Sequence, residues 1–243
     1  MNILLKILFF ISTFFILLKA DTVFSKDYYK MHISKQKEYF FAFFNKRIEI
    51  ENKKILEERA FIKSLNNNKN LDINSKEYKR LEELQIKYKV RDIYNYSRFL
   101  ERVNIIPPSL ALAQAATESG WGKSRFFKKA NNIFGHWTYN AKHGIVPKRR
   151  AAGSKHLIRV FNNLQDSLSA YMLNLNRHTA YKSFREKRYQ ARIKNKNPMG
   201  MELSQTMLKY SGIGKKYLAI LKSVIKKNNL TNYDKRFYQE TQK

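Results

Sequence analysis

Residues 107–122 read PPSLALAQAATESGWG, and from Leu110 to Ala116 every side chain except Gln114 is apolar or small. A helix that is apolar on all sides has to be enclosed by other elements, so this stretch calls for a fold built around one central helix. Pro107 and Pro108 stop the preceding segment, and Pro108 suits a first helical position, where its absent N–H is not missed. Gly120 and Gly122 end the helix and let backbone approach closely. The remaining pattern is also helical. Phe41, Phe44, Ile48, Ile55, Ile62 and Leu65 recur at spacings of 3, 4, 7, 7 and 3 along a helix expected from Lys35 to Leu65, the seam of a helix packed on another. Glu51 and Glu58 occupy intervening seam positions and argue against a strict long coiled coil. After the polar run NNNKNLDINS, Asn74 with Glu77 resembles a capping box opening a second helix through Leu81, Leu84 and Tyr88. These two read as an antiparallel hairpin without chemistry of its own, packing beside the main domain or spacing it from a membrane. Helices are expected from Tyr94 to Val103 and from Asn162 to Leu175, the latter with Leu164, Leu168, Tyr171, Met172 and Leu175 on one stripe. Tyr217, Leu221, Val224 and Ile225 mark a last helix. Residues 136–160 lack helical period and read as an irregular loop with a small hairpin. Strands and helices do not alternate, which excludes a parallel α/β fold. The fold class is mainly α, or α+β with a small β-hairpin lobe.

Composition narrows the function. Lys and Arg number 48 against 19 Asp and Glu, a net charge of +29. The lysines are spread along the chain with abundant Asn and Ile, as an A/T-rich coding sequence produces, and no nucleic-acid partner is expected. An exported protein meeting an anionic envelope polymer gains from the same sign of charge. The absence of cysteine removes disulfides, thiolate metal sites and cysteine nucleophiles together. Five histidines, His32, His136, His143, His156 and His178, show no paired metal-binding spacing, so neither metal nor other cofactor is expected. Residues 1–20 place Lys6 before an uncharged run from Ile7 to Leu18, the length of a signal-peptide core, with Ala20 at a plausible cleavage point. They read as a signal peptide or as an uncleaved inner-membrane anchor, and either way the body is exported to the periplasm or cell envelope.

Glu118 is the most informative side chain. It lies one turn beyond Gln114, at the C-terminal end of the apolar helix. The partial negative charge of that end disfavours a carboxylate, and apolar surroundings do the same. A carboxyl kept protonated near neutral pH is what a general acid requires. The mundane alternative is a surface glutamate offsetting Lys123, Arg125, Lys128 or Lys129. Its neighbours favour the first reading: Trp121, Trp137, Phe126, Phe127, Phe134 and Tyr139 are interleaved with Ser119, Asn131 and Asn132. Flat aromatic faces beside amides and hydroxyls suit a sugar.

ALAQAATESGWGKSRFFKKANNIFG resembles the signature of the bacterial glucosaminidase family of peptidoglycan hydrolases. The order of IIPPSLALAQAATESGWGKS, ANNIFGHW, HGIVPKRR, RVFNNLQDSLSAYMLNLNRHTAY and KYSGIGKKYLAIL is similar to the Bax-like branch, as is FFAFFNKRIEIENKKILEER, so the likeness runs from about residue 35 to 228. It implies a lysozyme-like helical domain at residues 93–230, after a helical hairpin region at 21–92 and before a polar tail at 231–243. It further implies that Glu118 is the general acid and Tyr210 the tyrosine assisting across the cleft. Ser119 then orients substrate amides, while Trp121, Phe134 and Gly135 line the cleft. Gln114, Asn132, Trp137, Tyr139 and Tyr181 complete the expected substrate-binding set, whereas Tyr217 reads as core. The implied substrate is the peptidoglycan glycan strand, cut as an endo-β-N-acetylglucosaminidase cuts it. A muramidase or lytic transglycosylase is the near alternative, and a non-catalytic wall-binding protein the distant one. One departure matters: several relatives carry a second acid in the hairpin, yet no Asp or Glu stands between His136 and Phe161. Asp166, next along, reads as a solvated first-turn acid. The HGIVPKRR tip with Lys155 reads either as a solvated loop or as a contact for stem-peptide carboxylates.

Overall fold

The computed structural model describes residues 24–147 and 153–241. The leader and the tip of the basic loop fall outside these residues. No helix among the described residues is long and apolar enough to cross a membrane.

The chain begins with a short helix α1 (Lys26–Lys30), the long α2 (Ile33–Ser64), α3 (Lys76–Tyr88) and α4 (Tyr96–Arg102). The apolar stretch forms α5 (Pro108–Ser119), followed by α6 (Arg125–Ala130). Three two- or three-residue strands come next: β1 (Trp137–Thr138), β2 (Gly144–Ile145) and β3 (Leu157–Arg159). The chain continues through α7 (Leu164–Arg177), α8 (Lys182–Ile193), α9 (Gly200–Ser204), α10 (Lys215–Lys227) and α11 (Thr231–Thr241). The molecule is mainly α with one small sheet, as the patterning requires. The hairpin lobe is a three-stranded antiparallel sheet in the order β1-β3-β2, with Trp137 opposite Ile158 and Gly144 opposite Arg159.

Helix α5 is the central element. Its residues from Pro108 to Ala116 are all buried, enclosed by α2, α9, α10 and α11. Its N-cap, Pro107, has no side chain to offer the first turn, so the orphan amide of Ser109 must find an acceptor elsewhere. Asp234 of α11 supplies it, accepting from the Ser109 amide (2.7 Å), the Ser109 hydroxyl (2.6 Å) and the Gly200 amide (2.8 Å). A carboxylate at a helix N-terminus also meets the favourable end of the macrodipole. The stretch expected to be a polar tail is thus a packed helix with Asp234, Phe237 and Tyr238 buried. Its many polar residues mask a three- and four-residue spacing of the inward side chains.

The link from α4 to α5 runs through the interior, and buried carbonyls need donors. Asn52 of α2 brackets Ile106, donating to its carbonyl (2.8 Å) and accepting from its amide (3.0 Å). Arg59 donates to the carbonyls of Leu100 and Val103. The fully buried Arg188 reaches those of Glu101, Asn104 and Ile105. The N-terminal helices are therefore stapled to the rest rather than appended. Phe40, Phe44 and Ile48 of α2 share one continuous core with Leu112, Leu168 and Leu221, and no packing boundary falls at residue 92. The expected antiparallel hairpin exists, with Arg80 lying 4.2 Å over the Phe61 ring and Lys87 paired to Glu58. Its second helix starts one residue later than expected, because Ser75, not Asn74, accepts from the Tyr78 amide at 3.1 Å.

Candidate active site

The end of α5 is shaped by backbone. The Gly120 amide turns back to Thr117 O and the Trp121 amide to Ala116 O, at 3.4 and 2.9 Å, a Schellman arrangement. Gly120, Trp121 and Gly122 have successive φ values of 56, 57 and 75°. For a tryptophan that conformation costs on the order of 1 kcal/mol or more, and the surroundings hold it. The Tyr28 hydroxyl donates to the Trp121 carbonyl (2.9 Å) and the Tyr29 hydroxyl to the Gly122 carbonyl (2.8 Å). From inside the turn, Ser119 Oγ accepts from the Gly122 amide at 2.9 Å. A Cβ at Gly122 would lie 2.6 Å from the Phe24 ring, so only glycine fits under this N-terminal strap.

Glu118 projects from the last turn, half-buried. Burial raises its carboxyl pKa above the ordinary value, and a hydrogen bond from Tyr217 opposes the rise without cancelling it. That bond is the last of a chain running in one direction. The Tyr171 hydroxyl donates to Gln114 Oε1 (2.7 Å), Gln114 Nε2 donates to the Tyr217 oxygen (3.1 Å), and the Tyr217 hydroxyl donates to Glu118 Oε1 (2.6 Å). Burial and the neighbouring Glu118 charge push the Tyr217 phenol far above its usual range, so it remains a donor. With Oε1 occupied as acceptor, the acid proton belongs on Oε2, which reaches solvent and has no partner among the described residues.

An open groove of about 950 Å³ lies beside this chain, and Phe134, Gly135, Trp137, Tyr181 and Tyr210 line it. Glu118 is not part of the lining but sits one ring behind it. Tyr210 stacks on Tyr217 with centroids 5.5 Å apart and planes 1° from parallel. Phe134 stacks on Tyr171 at 3.8 Å, and Tyr181 meets Tyr210 at 5.9 Å. The hydroxyls of Tyr181 and Tyr210 accept and donate no bond within the described residues, unlike those of Tyr171 and Tyr217. The hairpin region also builds a wall, through Glu51, Ile55 and Tyr88, so it contributes more than packing.

The sequence-expected residues divide into three groups. Glu118, Phe134, Gly135, Trp137, Tyr181 and Tyr210 gather at or directly behind the groove. Gln114, Ser119, Trp121 and Asn132 do not face it. Gln114 is the buried link between two tyrosines, and Ser119 holds its own turn. The Trp121 indole packs on Phe40 and Phe41 at 5.4 and 5.3 Å, with the Lys37 ammonium over it. Asn132 clasps the lobe, donating to the carbonyls of His136 and Arg159 and accepting from the His136 amide. Tyr139 stands exposed outside the lining. Trp137, also exposed, stacks on His156 at 4.2 Å. His136 lines the groove as a neutral ring, its pKa lowered to about 4 by burial and by Arg159.

Two residues central to the acid's setting were read only as core: Tyr217 and Tyr171. A signal was present. A buried tyrosine needs a partner for its hydroxyl, and an apolar stripe carrying Tyr where Phe would fill the space advertises a polar group nearby.

The structure thus joins a mainly helical body, a half-buried acid at the end of its central helix and an aromatic groove. The family model Glucosaminidase, described as mannosyl-glycoprotein endo-beta-N-acetylglucosaminidase, matches residues 93–230. The chain belongs to this family of glycoside hydrolases. It is 35% identical over 143 residues to protein Bax of Escherichia coli (strain K12), across 57% of this chain and 50% of that protein. It thus spans about half the length of that relative. No solved structure matches significantly.

Proposed function

We propose that the protein is an exported peptidoglycan hydrolase that cuts the β-1,4 bonds of the glycan strand after N-acetylglucosamine. The observation that supports this most is the placement of Glu118, with one carboxyl oxygen held by Tyr217 and the other open to solvent, behind a groove of aromatic rings. In this reading Glu118 gives its Oε2 proton to the leaving glycosidic oxygen. The hairpin supplies no second carboxylate, since no acid stands between His136 and Phe161. Of the two carboxylates in the groove lining, Glu51 is held by Lys54 and Gln165, while Asp166 sits in the first turn of α7. The 2-acetamido carbonyl oxygen of the substrate attacks the anomeric carbon instead, as the C–O bond to the leaving sugar breaks. In the same reading the Tyr210 hydroxyl, on a ring that lines the groove and stacks on Tyr217, steadies the charge that develops. Water then opens the cyclic intermediate, returning its proton to the Glu118 carboxylate. Export rests on residues 1–20 and belongs to the same proposal.

Digestion of purified sacculi by wild type and by Glu118→Gln tests the reading. Loss of a general acid is worth roughly a hundred- to ten-thousandfold, so solubilisation by the variant is expected to vanish. Wild-type products should carry reducing-end N-acetylglucosamine. Reducing-end muramic acid would mark a muramidase, and anhydro-muramic ends a lytic transglycosylase. Equal solubilisation by both proteins would overturn Glu118 as the general acid, and no solubilisation by either would leave only wall binding.

A further inference from the structure

The charge along the groove is uneven. Its lining includes two carboxylates, Glu51 and Asp166, and four cations, Lys87, Arg159, Arg177 and Lys209. Some of these are already engaged. Lys54 and Gln165 Nε2 hold Glu51 Oε1, at 2.9 and 2.7 Å, and Lys87 is paired with Glu58. Asp166 opens the first turn of α7 and Arg177 closes its last. At 1.5 Å per residue those two lie about 16 Å apart along the helix. The end of the groove near Arg177 is therefore beyond the reach of Asp166.

Arg177 spends one N–H on the Lys87 carbonyl, at 3.1 Å. Neither its guanidinium nor the Lys209 ammonium is in an ion pair among the described residues. The two come from separate elements, and each lies next in sequence to a residue of the tyrosine cluster. Arg177 precedes His178, whose ring meets Tyr181 at 5.9 Å, and Lys209 immediately precedes Tyr210. Two cations without counterions, beside the two tyrosines with open hydroxyls, make a site for an anion carried by whatever lies on those rings.

We infer that Arg177 and Lys209 form a carboxylate-recognition subsite that selects acid-bearing glycan over neutral glycan. The inference rests on the peptidoglycan reading and gives it a specificity. In a strand of that kind, carboxylates come from two sources, the peptide stem and the lactyl group left on muramic acid when the stem is removed. An arginine fork grips a carboxylate through two N–H donors, and a lysine adds a mobile point charge.

Binding measured in the Glu118→Gln background separates this claim from the claim of turnover. Three soluble probes serve: peptide-bearing glycan fragments, the same fragments stripped of peptide by an amidase, and neutral chito-oligosaccharides. Arg177→Gln with Lys209→Gln should weaken binding of a carboxylate-bearing probe roughly tenfold or more, the scale of losing charge-assisted hydrogen bonds. Binding of the neutral probe should stay within about twofold. A loss confined to peptide-bearing fragments assigns the stem carboxylates, and a loss on stripped fragments as well assigns the lactyl group. Lys226→Gln with Lys227→Gln removes the same charge from the exposed end of α10 and should change nothing. Equal losses on all three probes, or an equal loss from the α10 pair, would overturn the subsite. Failure of wild type to cut sacculi would sink the enzymatic reading while leaving these binding comparisons intact.

Discussion

Glu118 is pulled two ways. Burial and the negative end of α5 favour its neutral form, and the Tyr217 hydroxyl favours its charge. Removing that hydroxyl in Tyr217→Phe should raise the carboxyl pKa further. Because a general acid loses activity as pH climbs through its pKa, the alkaline limb of the rate profile should move to higher pH. The rate itself should fall, since Oε1 is no longer held and Gln114 Nε2 loses its acceptor. Leaving that buried amide unpaired should cost about 1–3 kcal/mol of stability, read from chemical denaturation. An alkaline limb that stays in place would show the bond to be irrelevant to the proton. Glu118→Gln carries a complementary expectation for folding. A carboxyl whose folded pKa is raised gives up stability as pH rises through that pKa. The glutamine variant should therefore melt higher than wild type at neutral and alkaline pH, with the gap closing in acid. A constant difference in melting temperature across pH would contradict the raised pKa.

Helices carry the positions of these atoms. The two ends of α5 treat carboxylates oppositely, with Asp234 anchored at the favourable end and Glu118 poised at the unfavourable one. Asp234→Ala would strip the acceptor from two buried amides and a hydroxyl, at a cost of about 3 kcal/mol or more, visible as a lowered unfolding midpoint. Gly200→Ala should act at the same junction, because its Cβ would lie 2.2 Å from Ser109 Oγ and 2.6 Å from the Leu110 amide nitrogen. At the other end, Tyr28→Phe with Tyr29→Phe should loosen the turn after Glu118, lowering kcat with little change in global stability. Unchanged kcat would reduce the strap to packing. The sequence shows α5 and its stops plainly, because an all-apolar run between prolines and glycines has few other ways to fold. It hides what secures them. The partners of Ser109 and of the Trp121 and Gly122 carbonyls sit more than ninety residues away and leave no local period. Short α1 and polar α11 escape notice for the same reason, their helicity being fixed by tertiary contact rather than by propensity.

For the molecule as a whole, the matched span of residues 93–230 is not a self-sufficient unit. Its connection from Val103 to Ile106 depends on Asn52 and Arg59, and its central helix on Asp234. Expressed alone, that span should fail to give a cooperative thermal transition, while residues 24–241 should melt cooperatively. A sharp transition from the shorter piece would show that the flanking helices only decorate it. The same interdependence explains which site residues were legible. Glu118, Tyr210 and Phe134 stand in compact motifs, and the structure brings all three to the groove or directly behind it. Whether Trp121 faced sugar or protein was decided by Phe40 and Phe41, eighty positions upstream.

The bond between Ser109 and Asp234 spans 125 residues. During synthesis the segment bearing Glu118 leaves the ribosome long before the side chain that will satisfy its first turn exists. The acid-bearing helix thus gains the acceptor for its first turn only once α11 has been made and closes over it.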